Sequence, residues 1–211
     1  FTGTMQGTGS VVKNGTGTLN YAGTADNTYS GTTTVNAGTL NLTRPGYTSI
    51  AGDLVIGDGT GTDQVNLMAS HQIADAAAVT INASGYLNLS QSLAETIGTV
   101  TITGTDSNFA NLSVPTTSSL NIAGLDMTGG RIWLGRSTGA VGTLRLLGDV
   151  TTHASSVPAQ IAMGGSGTFS ANTGAVDLYG ADRVFTVADG PADQDMTLGV
   201  RLINSQGTPA G

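Results

Sequence analysis

Residues 33–42 read TTVNAGTLNL, and residues 79–89 repeat the same pattern as VTINASGYLNL. In both stretches apolar side chains alternate with polar ones on either side of a short turn made of Asn, Ala and Gly or Ser. Residues two apart lie on one face of a pleated strand, so each stretch predicts two short strands with one buried face. Reuse of the same turn residues indicates corners that are equivalent in successive units of the fold.

The same spacing recurs along the chain. Pairs at positions i and i+2 occur at Leu19/Tyr21, Thr33/Val35, Leu40/Leu42, Leu54/Ile56, Val65/Leu67, Val79/Ile81, Leu87/Leu89, Val100/Ile102, Leu112/Val114, Leu120/Ile122, Ile132/Leu134, Leu144/Leu146 and Val176/Leu178. This pattern predicts an all-β protein, and it is compatible with a β-sandwich, a barrel or a solenoid. Aromatic residues are only 5% of the chain, which favours a solenoid with an aliphatic interior over a sandwich.

Asparagine occupies repeated positions in these units. Asn36 and Asn82 follow the last apolar residue of a strand, and Asn41, Asn88 and Asn121 lie between two apolar residues. In a solenoid such side chains stack into hydrogen-bonded ladders between coils. The alternative is that Asn is present because it tolerates left-handed turn conformations. At about 20 residues per coil, the chain is expected to form roughly ten coils.

Two adjacent segments near the start carry a more specific signal. Residues 9–23 read GSVVKNGTGTLNYAG, and residues 27–42 read NTYSGTTTVNAGTLNL. Together they resemble the autotransporter-associated β-strand repeat of passenger regions in very large bacterial surface proteins, with Tyr21 where the family usually has Leu. Residues 43–211 are similar to the less regular segments that separate such repeats.

The resemblance implies a right-handed parallel β-solenoid that is exported and displayed at the cell surface by an outer-membrane-anchored parent protein. It also implies that residues 1–211 are a single solenoid segment of a longer chain, with a repeat unit at 1–42 and irregular coils at 43–211. The expected partners are further copies of the chain or neighbouring repeats of the same polypeptide, and surface glycans are a second class. No cofactor is expected.

Composition excludes several other classes. The 211 residues include 32 Gly, no Cys and only 10% charged residues, so long helices, disulfides and zinc–thiolate sites are not expected. With 14 Asp and Glu against 7 Lys and Arg, the chain lacks the clustered cations that bind nucleic acid. It has no apolar run long enough for a membrane helix and no leader after Phe1. We therefore expect a leader that has been removed or a chain that is part of something longer.

Two acidic loops are candidates for calcium binding. Residues 58–66 read DGTGTDQVN, which fits the calcium nonapeptide except that Asp58 replaces its first Gly. That motif binds between tandem copies, and a single copy favours a plain Gly-rich turn. Asp189, Asp193 and Asp195 could gather around a hard cation, or they could belong to a solvated loop around Pro191, which we favour. No metal site is therefore predicted.

Catalysis is not expected either. Polysaccharide-degrading enzymes with this scaffold need carboxylates converging on one groove, whereas Glu95 is isolated in the sequence. The pairs Asp182/Arg183 and Asp149/Arg145 are interpreted as surface ion pairs. The leading hypothesis is thus a non-catalytic structural segment of a secreted fibre or adhesin stalk, which either holds a functional tip away from the cell or assembles into filaments. A glycan- or cell-binding adhesin module comes second, and a polysaccharide-degrading enzyme third.

Three further residues and two loops bear on these alternatives. His71 and His153 have no partners at metal-ligand spacing, so both are predicted to be exposed turn residues. Trp133 lies between two residues that share the other face, so it is predicted to point outward, either to stack on a sugar ring or to cover the flank of the solenoid. Residues 104–118 and 188–195 are the loops expected to carry any binding function.

Overall fold

The computed structural model describes residues 1–105, 110–137, 140–164 and 174–205. Within these ranges all regular structure is β, and parallel strands stack into a β-solenoid of about 7 turns. The predicted fold class is therefore confirmed, although the coils are fewer than the roughly ten expected. The buried apolar side chains form one cluster that extends from Tyr21 to Val176.

The described residues form the following strands: β1 Val11–Lys13, β2 Thr18–Tyr21, β3 Thr33–Val35, β4 Gly38–Leu42, β5 Leu54–Ile56, β6 Asp63–Leu67, β7 Val79–Ile81, β8 Gly85–Leu89, β9 Ala94–Thr103, β10 Asn111–Val114, β11 Ser119–Thr128, β12 Arg131–Leu134, β13 Arg136–Ser137, β14 Ala140–Val141, β15 Thr143–Leu146, β16 Val150–Thr152, β17 Ala159–Met163, β18 Ala175–Asp177, β19 Phe185–Val187, β20 Met196–Leu198 and β21 Arg201–Ile203. Every pairing among them is parallel except the β13–β14 hairpin.

Each coil has three faces, which are defined by the strand pairings. Face 1 consists of β1, β3, β5, β7, residues 99–103 of β9, residues 124–128 of β11, β16 and β19. Face 2 is the sheet β2-β4-β6-β8-β10-β12-β17-β20. Face 3 consists of residues 94–97 of β9, residues 119–122 of β11, β15, β18 and β21. In the earlier coils, the segments on this side of the solenoid form no strands, and they pair only through the isolated bridge between Ile50 and Ile73.

The corner between faces 3 and 1 is visible within β9. Ile97 and Val100 are both buried. Residues three positions apart on a regular strand point to opposite faces, so the chain must bend between them, at Gly98. A Cβ at Gly98 would lie 2.7 Å from the carbonyl oxygen of Ala77 in the preceding coil. Glycine is therefore required here because neighbouring backbones pack too closely for a side chain.

The core consists of aliphatic columns that run from coil to coil. On face 2 the inward positions carry Leu40, Val65, Leu87, Leu112, Ile132 and Ile161, which pair in register and are completely buried. Alternate positions on these strands point outward and are half-exposed. Register is thus specified by the apolar face, because a slip of one residue would expose a whole column.

The number of coils is lower than expected because the later coils are longer. On face 2, Thr18 pairs with Thr39, a step of 21 residues. Gln160 pairs with Arg131 on one side and Thr197 on the other, which are steps of 29 and 37 residues. The β13–β14 hairpin lies within the first of these long coils. The coils up to Arg131 have 20 to 25 residues, close to the estimate of about 20, and only the last two coils are much longer.

Candidate functional site

An asparagine ladder runs along the outside of face 2. Asn41 donates to Asn20 at 2.8 Å, Asn66 donates to Asn41 at 2.8 Å, and Asn88 donates to Asn66 at 3.3 Å, each from Nδ2 to Oδ1. These four residues occupy equivalent positions on β2, β4, β6 and β8. The predicted stacking of Asn41 and Asn88 is confirmed. The ladder satisfies side-chain amides between coils while leaving the outer surface uncharged.

The other predicted asparagines behave differently. Asn36 donates to the side chain of Asn14 at 3.1 Å, which is a second, shorter ladder. Asn121 donates to Thr96 Oγ1 at 3.0 Å, so it stacks on a hydroxyl instead of an amide. Asn82 donates to the carbonyl oxygen of Gly57 at 3.1 Å. The side chain of Asn82 therefore satisfies a backbone carbonyl of a turn and does not belong to a ladder.

A column of polar side chains lies inside the coils, and the sequence pattern did not reveal it. This inner polar column consists of Asn27, Ser49, Gln72 and Glu95, all of which are buried. Asn27 donates to the carbonyl oxygen of Ser49 at 2.7 Å, and Ser49 donates to Gln72 Oε1 at 2.8 Å. The backbone N–H groups of Gln72 and Ile73 donate to the two carboxyl oxygens of Glu95 at 3.0 and 2.9 Å. Each member thereby links one coil to the next.

Glu95 is the ionisable member of this column. Burial raises the pKa of Glu95 to about 7, against the lowering effect of the backbone N–H groups of Ile73, Gln72 and His71. Both carboxyl oxygens are engaged with backbone donors, and the side chain is only 1% exposed. Glu95 therefore joins two coils inside the solenoid and does not line an external groove.

A second unexpected residue inside the coils is Arg44, which is completely buried. Its guanidinium donates to the carbonyl oxygen of Ala25 at 2.6 Å and to that of Gly3, and it lies 5.8 Å from the centre of the Phe1 ring. Burial raises the pKa of Tyr21 to about 12 in this region, with Tyr29 adding to the rise and Arg44 opposing it. Backbone carbonyls thus supply the acceptors for this cation.

The Asp58–Asp63 loop folds as a turn. Asp58 Oδ1 accepts hydrogen bonds from the side chain and the backbone N–H of Thr60, which lower the pKa of Asp58. Asp63 is completely buried, and its Oδ2 accepts from Ser84 Oγ at 2.5 Å and from the backbone N–H of Asp58 at 3.3 Å. The two carboxylates are therefore used to close the turn and to join it to the next coil.

The second acidic loop also closes on itself. Asp195 Oδ1 accepts from the backbone N–H of Gly190 at 2.8 Å, while Asp189 and Asp193 are exposed. Within the described ranges, no three His, Cys, Asp or Glu side chains form a group that could hold a metal ion. Of the two loops expected to carry binding, residues 188–195 are described throughout, whereas 106–109 of the 104–118 loop lie outside the described residues.

The predicted ion pairs differ from the observed ones. Arg145 Nε lies 3.4 Å from the carboxylate of Asp177, not beside Asp149. Burial of Asp177 raises its pKa, but hydrogen bonds from Ser205, Tyr179 and Arg145 outweigh that effect and lower it overall. Arg145 and Asp177 are opposite each other across β15 and β18, a relation that strand register determines and sequence proximity does not.

Of the other three residues of the expected ion pairs, Asp182 is exposed, and Arg183 and Asp149 are held by backbone groups. Arg183 donates to the carbonyl oxygen of Leu146 at 2.8 Å, and Asp149 accepts from the backbone N–H of Val184 at 2.9 Å. The histidines lie where the sequence predicted them: His71 and His153 are exposed. His153 Nε2 lies 2.9 Å from the carboxylate of Asp126, which is a surface contact on face 1.

Trp133 points outward from face 2, as predicted, and lines a groove of about 380 Å³. The groove is lined by Tyr86, Asn88, Asn111, Ser113, Trp133 and Gly164. The indole Nε1 donates to Asn111 Oδ1 at 3.1 Å, and the Arg131 guanidinium lies 5.8 Å from the centre of the indole ring. In this outer groove, aromatic and amide side chains from β8, β10 and β12 surround an open space.

The last coil leaves part of its interior uncovered. In β19, β20 and β21 the inward positions carry Val187, Leu198 and Leu202, whose exposed fractions are 47, 42 and 54%. The residue that pairs with Leu202 in the preceding coil, Val176, is completely buried. The difference arises because no described coil lies beyond β21 in the order of the sheet.

Comparisons with protein-family models, with curated proteins and with solved structures give no match to this chain. In the described part of the chain, no helix is long and apolar enough to cross a membrane. The class of the protein, a β-solenoid, is shown by its strand pairing and its buried core.

Proposed function

We propose that the chain is a structural, non-catalytic β-solenoid segment of a secreted cell-surface fibre or adhesin stalk, and that its end coils pair with further coils. The observation that supports this proposal most directly is the uncovered apolar interior at β19–β21. Apolar surface of this kind is stabilised by burial, and unpaired strand edges are templates for pairing. A further coil would satisfy both requirements at once.

The opposite end leaves a strand edge open. Among the described residues β1 pairs with β3 alone, so its other edge is free, while Val12, which pairs with Thr34, points outward on the flank. A cavity of about 370 Å³ lies at this corner and is lined by residues 12–15 and 17–19. Head-to-tail contact between such ends is heterologous, and contacts of this type extend into filaments when the rotation does not close a ring.

The interior supports a mechanical role over a catalytic one. The buried carboxyls Asp63, Glu95 and Asp177 accept hydrogen bonds from neighbouring segments of the solenoid, so they link coils. Such a segment would act through length and stiffness, since each added coil extends the sheets by about 4.8 Å. The partners in this proposal are neighbouring coils of the same polypeptide or of another copy.

Sedimentation velocity of the purified chain with the variant Leu202→Lys tests the proposal. We expect the wild type to show a rising sedimentation coefficient between about 1 and 100 μM, because its end coils associate. Leu202→Lys should abolish that rise, since a charge would then be buried at the junction.

The matched control is Leu147→Lys, because Leu147 is also exposed (39%) but follows β15 on the flank of the solenoid. It should associate like the wild type. Association that survives Leu202→Lys, or that is lost equally in both variants, would contradict pairing through the end coil.

A further inference from the structure

We propose that the outer groove of face 2 is a binding site for a neutral oligosaccharide of pyranose rings. This inference does not depend on end-to-end pairing, because the groove lies on the flank of β8, β10 and β12. Its six lining residues carry two aromatic rings, two amides, a hydroxyl and a glycine. Sites for small ligands commonly combine such apolar and aromatic surfaces with a few polar groups that orient the ligand.

The aromatic rings are arranged as two platforms. Strand register places Tyr86 beside Asn111 and then Arg131, and places Asn88 beside Ser113 and then Trp133. Tyr86 and Trp133 are therefore two coils apart and two residues apart along the strands, so their backbones are roughly 12 Å apart at about 4.8 Å per coil and about 3.3 Å per residue. This distance suits about two linked pyranose rings, whose apolar C–H faces can stack on aromatic rings.

The Trp133 platform is held in place and is open to a ligand. Its indole N–H is bonded to Asn111, so the ring cannot turn freely. Its neighbours in the same row are Ser113 and Ala162, both small, and a Cβ on Gly164 would lie 3.8 Å from the Trp133 Cβ. The small residues leave one side of the ring accessible, and a fixed ring loses little entropy when a ligand binds.

Asn88 supplies the polar recognition. It is the last residue of the asparagine ladder: its Nδ2 donates to Asn66, and the next residue in its row is Ser113. Among the described residues, no side chain donates to Asn88 Oδ1, so this oxygen remains an acceptor at the edge of the groove. Sugar hydroxyls donate and accept, and they match an amide oxygen next to a serine hydroxyl.

The charge distribution favours a neutral ligand. The residues that line the groove include no Asp, Glu, Lys or Arg, and the one described cation beside it, Arg131, lies over the Trp133 ring 5.8 Å from its centre. The whole chain carries a formal net charge of −7, which disfavours acidic glycans through long-range repulsion. A proline-rich peptide could also pack against two aromatic rings, but prolines have no N–H to donate to Asn88 Oδ1. The uncharged lining and the open acceptor therefore point to sugar.

Intrinsic fluorescence gives a direct test, because Trp133 is the single Trp of the chain. The purified chain is titrated with maltotetraose, cellotetraose, laminaritetraose and chitotetraose, and with tetragalacturonate and a decaproline peptide. We expect a saturable change in Trp emission with at least one neutral tetrasaccharide. No saturable change with any of the four neutral sugars, or saturation only with tetragalacturonate or decaproline, would overturn the proposal.

Variants then assign the binding to this groove by calorimetric titration with the sugar that binds. Tyr86→Ala and Trp133→Ala should each weaken binding about tenfold or more, and Asn88→Ala should weaken it by a smaller factor. Tyr47→Ala is the matched control, because Tyr47 is an exposed aromatic residue outside the groove. Far-UV circular dichroism checks that each variant is folded, and Tyr86→Ala serves if Trp133→Ala does not fold. Unchanged affinity in a folded Tyr86→Ala variant would overturn the assignment.

Discussion

Single polar residues inside the solenoid link its coils as directly as the backbone ladders do. The inner polar column is hydrogen-bonded from Asn27 through Ser49 and Gln72 to Glu95. A satisfied network of this kind specifies how one coil sits on the next, whereas a broken one leaves buried groups without partners. Removal of one member is therefore expected to cost more than the loss of a single surface hydrogen bond.

Glu95 should make stability depend on pH. Its pKa rises from the ordinary value of 4.5 to about 7 in the folded chain, so the folded state holds the proton more tightly than the unfolded state. The contribution of Glu95 is therefore complete below pH 4.5 and is lost as the pH rises through about 7. We expect the free energy of unfolding to fall by roughly 3 kcal/mol between pH 4.5 and 8. Urea unfolding at a series of pH values measures it.

The variant Glu95→Gln isolates this effect, since it cannot titrate. At pH 5 it should be less stable than the wild type, because the amide N–H₂ group replaces one carboxyl oxygen and cannot accept the backbone N–H bond that this oxygen accepts. Its stability should be nearly constant over the same pH range. Asp193→Asn, at an exposed carboxylate, is the control and should keep the pH dependence of the wild type. A Glu95→Gln variant with the same pH dependence as the wild type would refute the assignment.

The asparagine ladder allows a second comparison between residues. Asn66 donates to Asn41 and accepts from Asn88 and Gln64, whereas the side chain of Asn20 at the end of the ladder accepts from Asn41. Asn66→Ala should therefore lower the free energy of unfolding by about 1–2 kcal/mol, and Asn20→Ala by half as much or less. Chemical denaturation of the two variants measures the difference. Equal losses, or none, would mean that the ladder does not contribute to stability.

At the scale of strands and corners, glycines that stack from coil to coil set how closely the coils approach. A Cβ on Gly31 would lie 2.3 Å from the carbonyl oxygen of Gly9, and a Cβ on Gly52 would lie 2.3 Å from that of Gly31. These three glycines mark the same corner in three successive coils. Any larger residue must push two backbones apart, which disturbs the parallel pairing on both sides of the corner.

Substitution at this corner is expected to be severe. Gly52→Ala should lower the free energy of unfolding by about 2–3 kcal/mol or prevent folding, because the clash is with backbone and not with a mobile side chain. Gly17→Ala is the matched control, since a Cβ there meets nothing within 4 Å. It should change stability by less than about 1 kcal/mol. Thermal unfolding of both variants distinguishes them, and similar behaviour would contradict the close-packed corner.

The predictability of these elements depends on whether the signal is local. Alternation around Leu40/Leu42 and Leu87/Leu89 predicted strands correctly, because one buried face and one outer face impose a period of two. The ladder of Asn41 and Asn88 followed from the same alternation. The inner polar column did not, because Gln72 and Glu95 are polar residues at buried positions on the side of face 3, where apolar residues were expected and where the earlier coils pair only through the bridge between Ile50 and Ile73.

For the molecule as a whole, the remaining features depend on register between distant coils. The groove between Tyr86 and Trp133, and the pairing of Arg145 with Asp177, exist only because the lengths of the intervening coils bring those positions opposite each other. Coil length itself varies from 20 residues at Asn111–Arg131 to 37 at Gln160–Thr197, and no local pattern reports it. This variation is the reason that strands could be predicted from the sequence while the groove and the number of coils could not.

The proposed function requires that the solenoid extend end to end through its terminal coils. Negative-stain electron microscopy of the purified chain at neutral pH tests it most directly, with concentration as the variable. We predict unbranched filaments of constant width, equal to the width of one solenoid, whose length increases with concentration. Separate short particles at every concentration would contradict end-to-end pairing, and compact globules would contradict the solenoid itself.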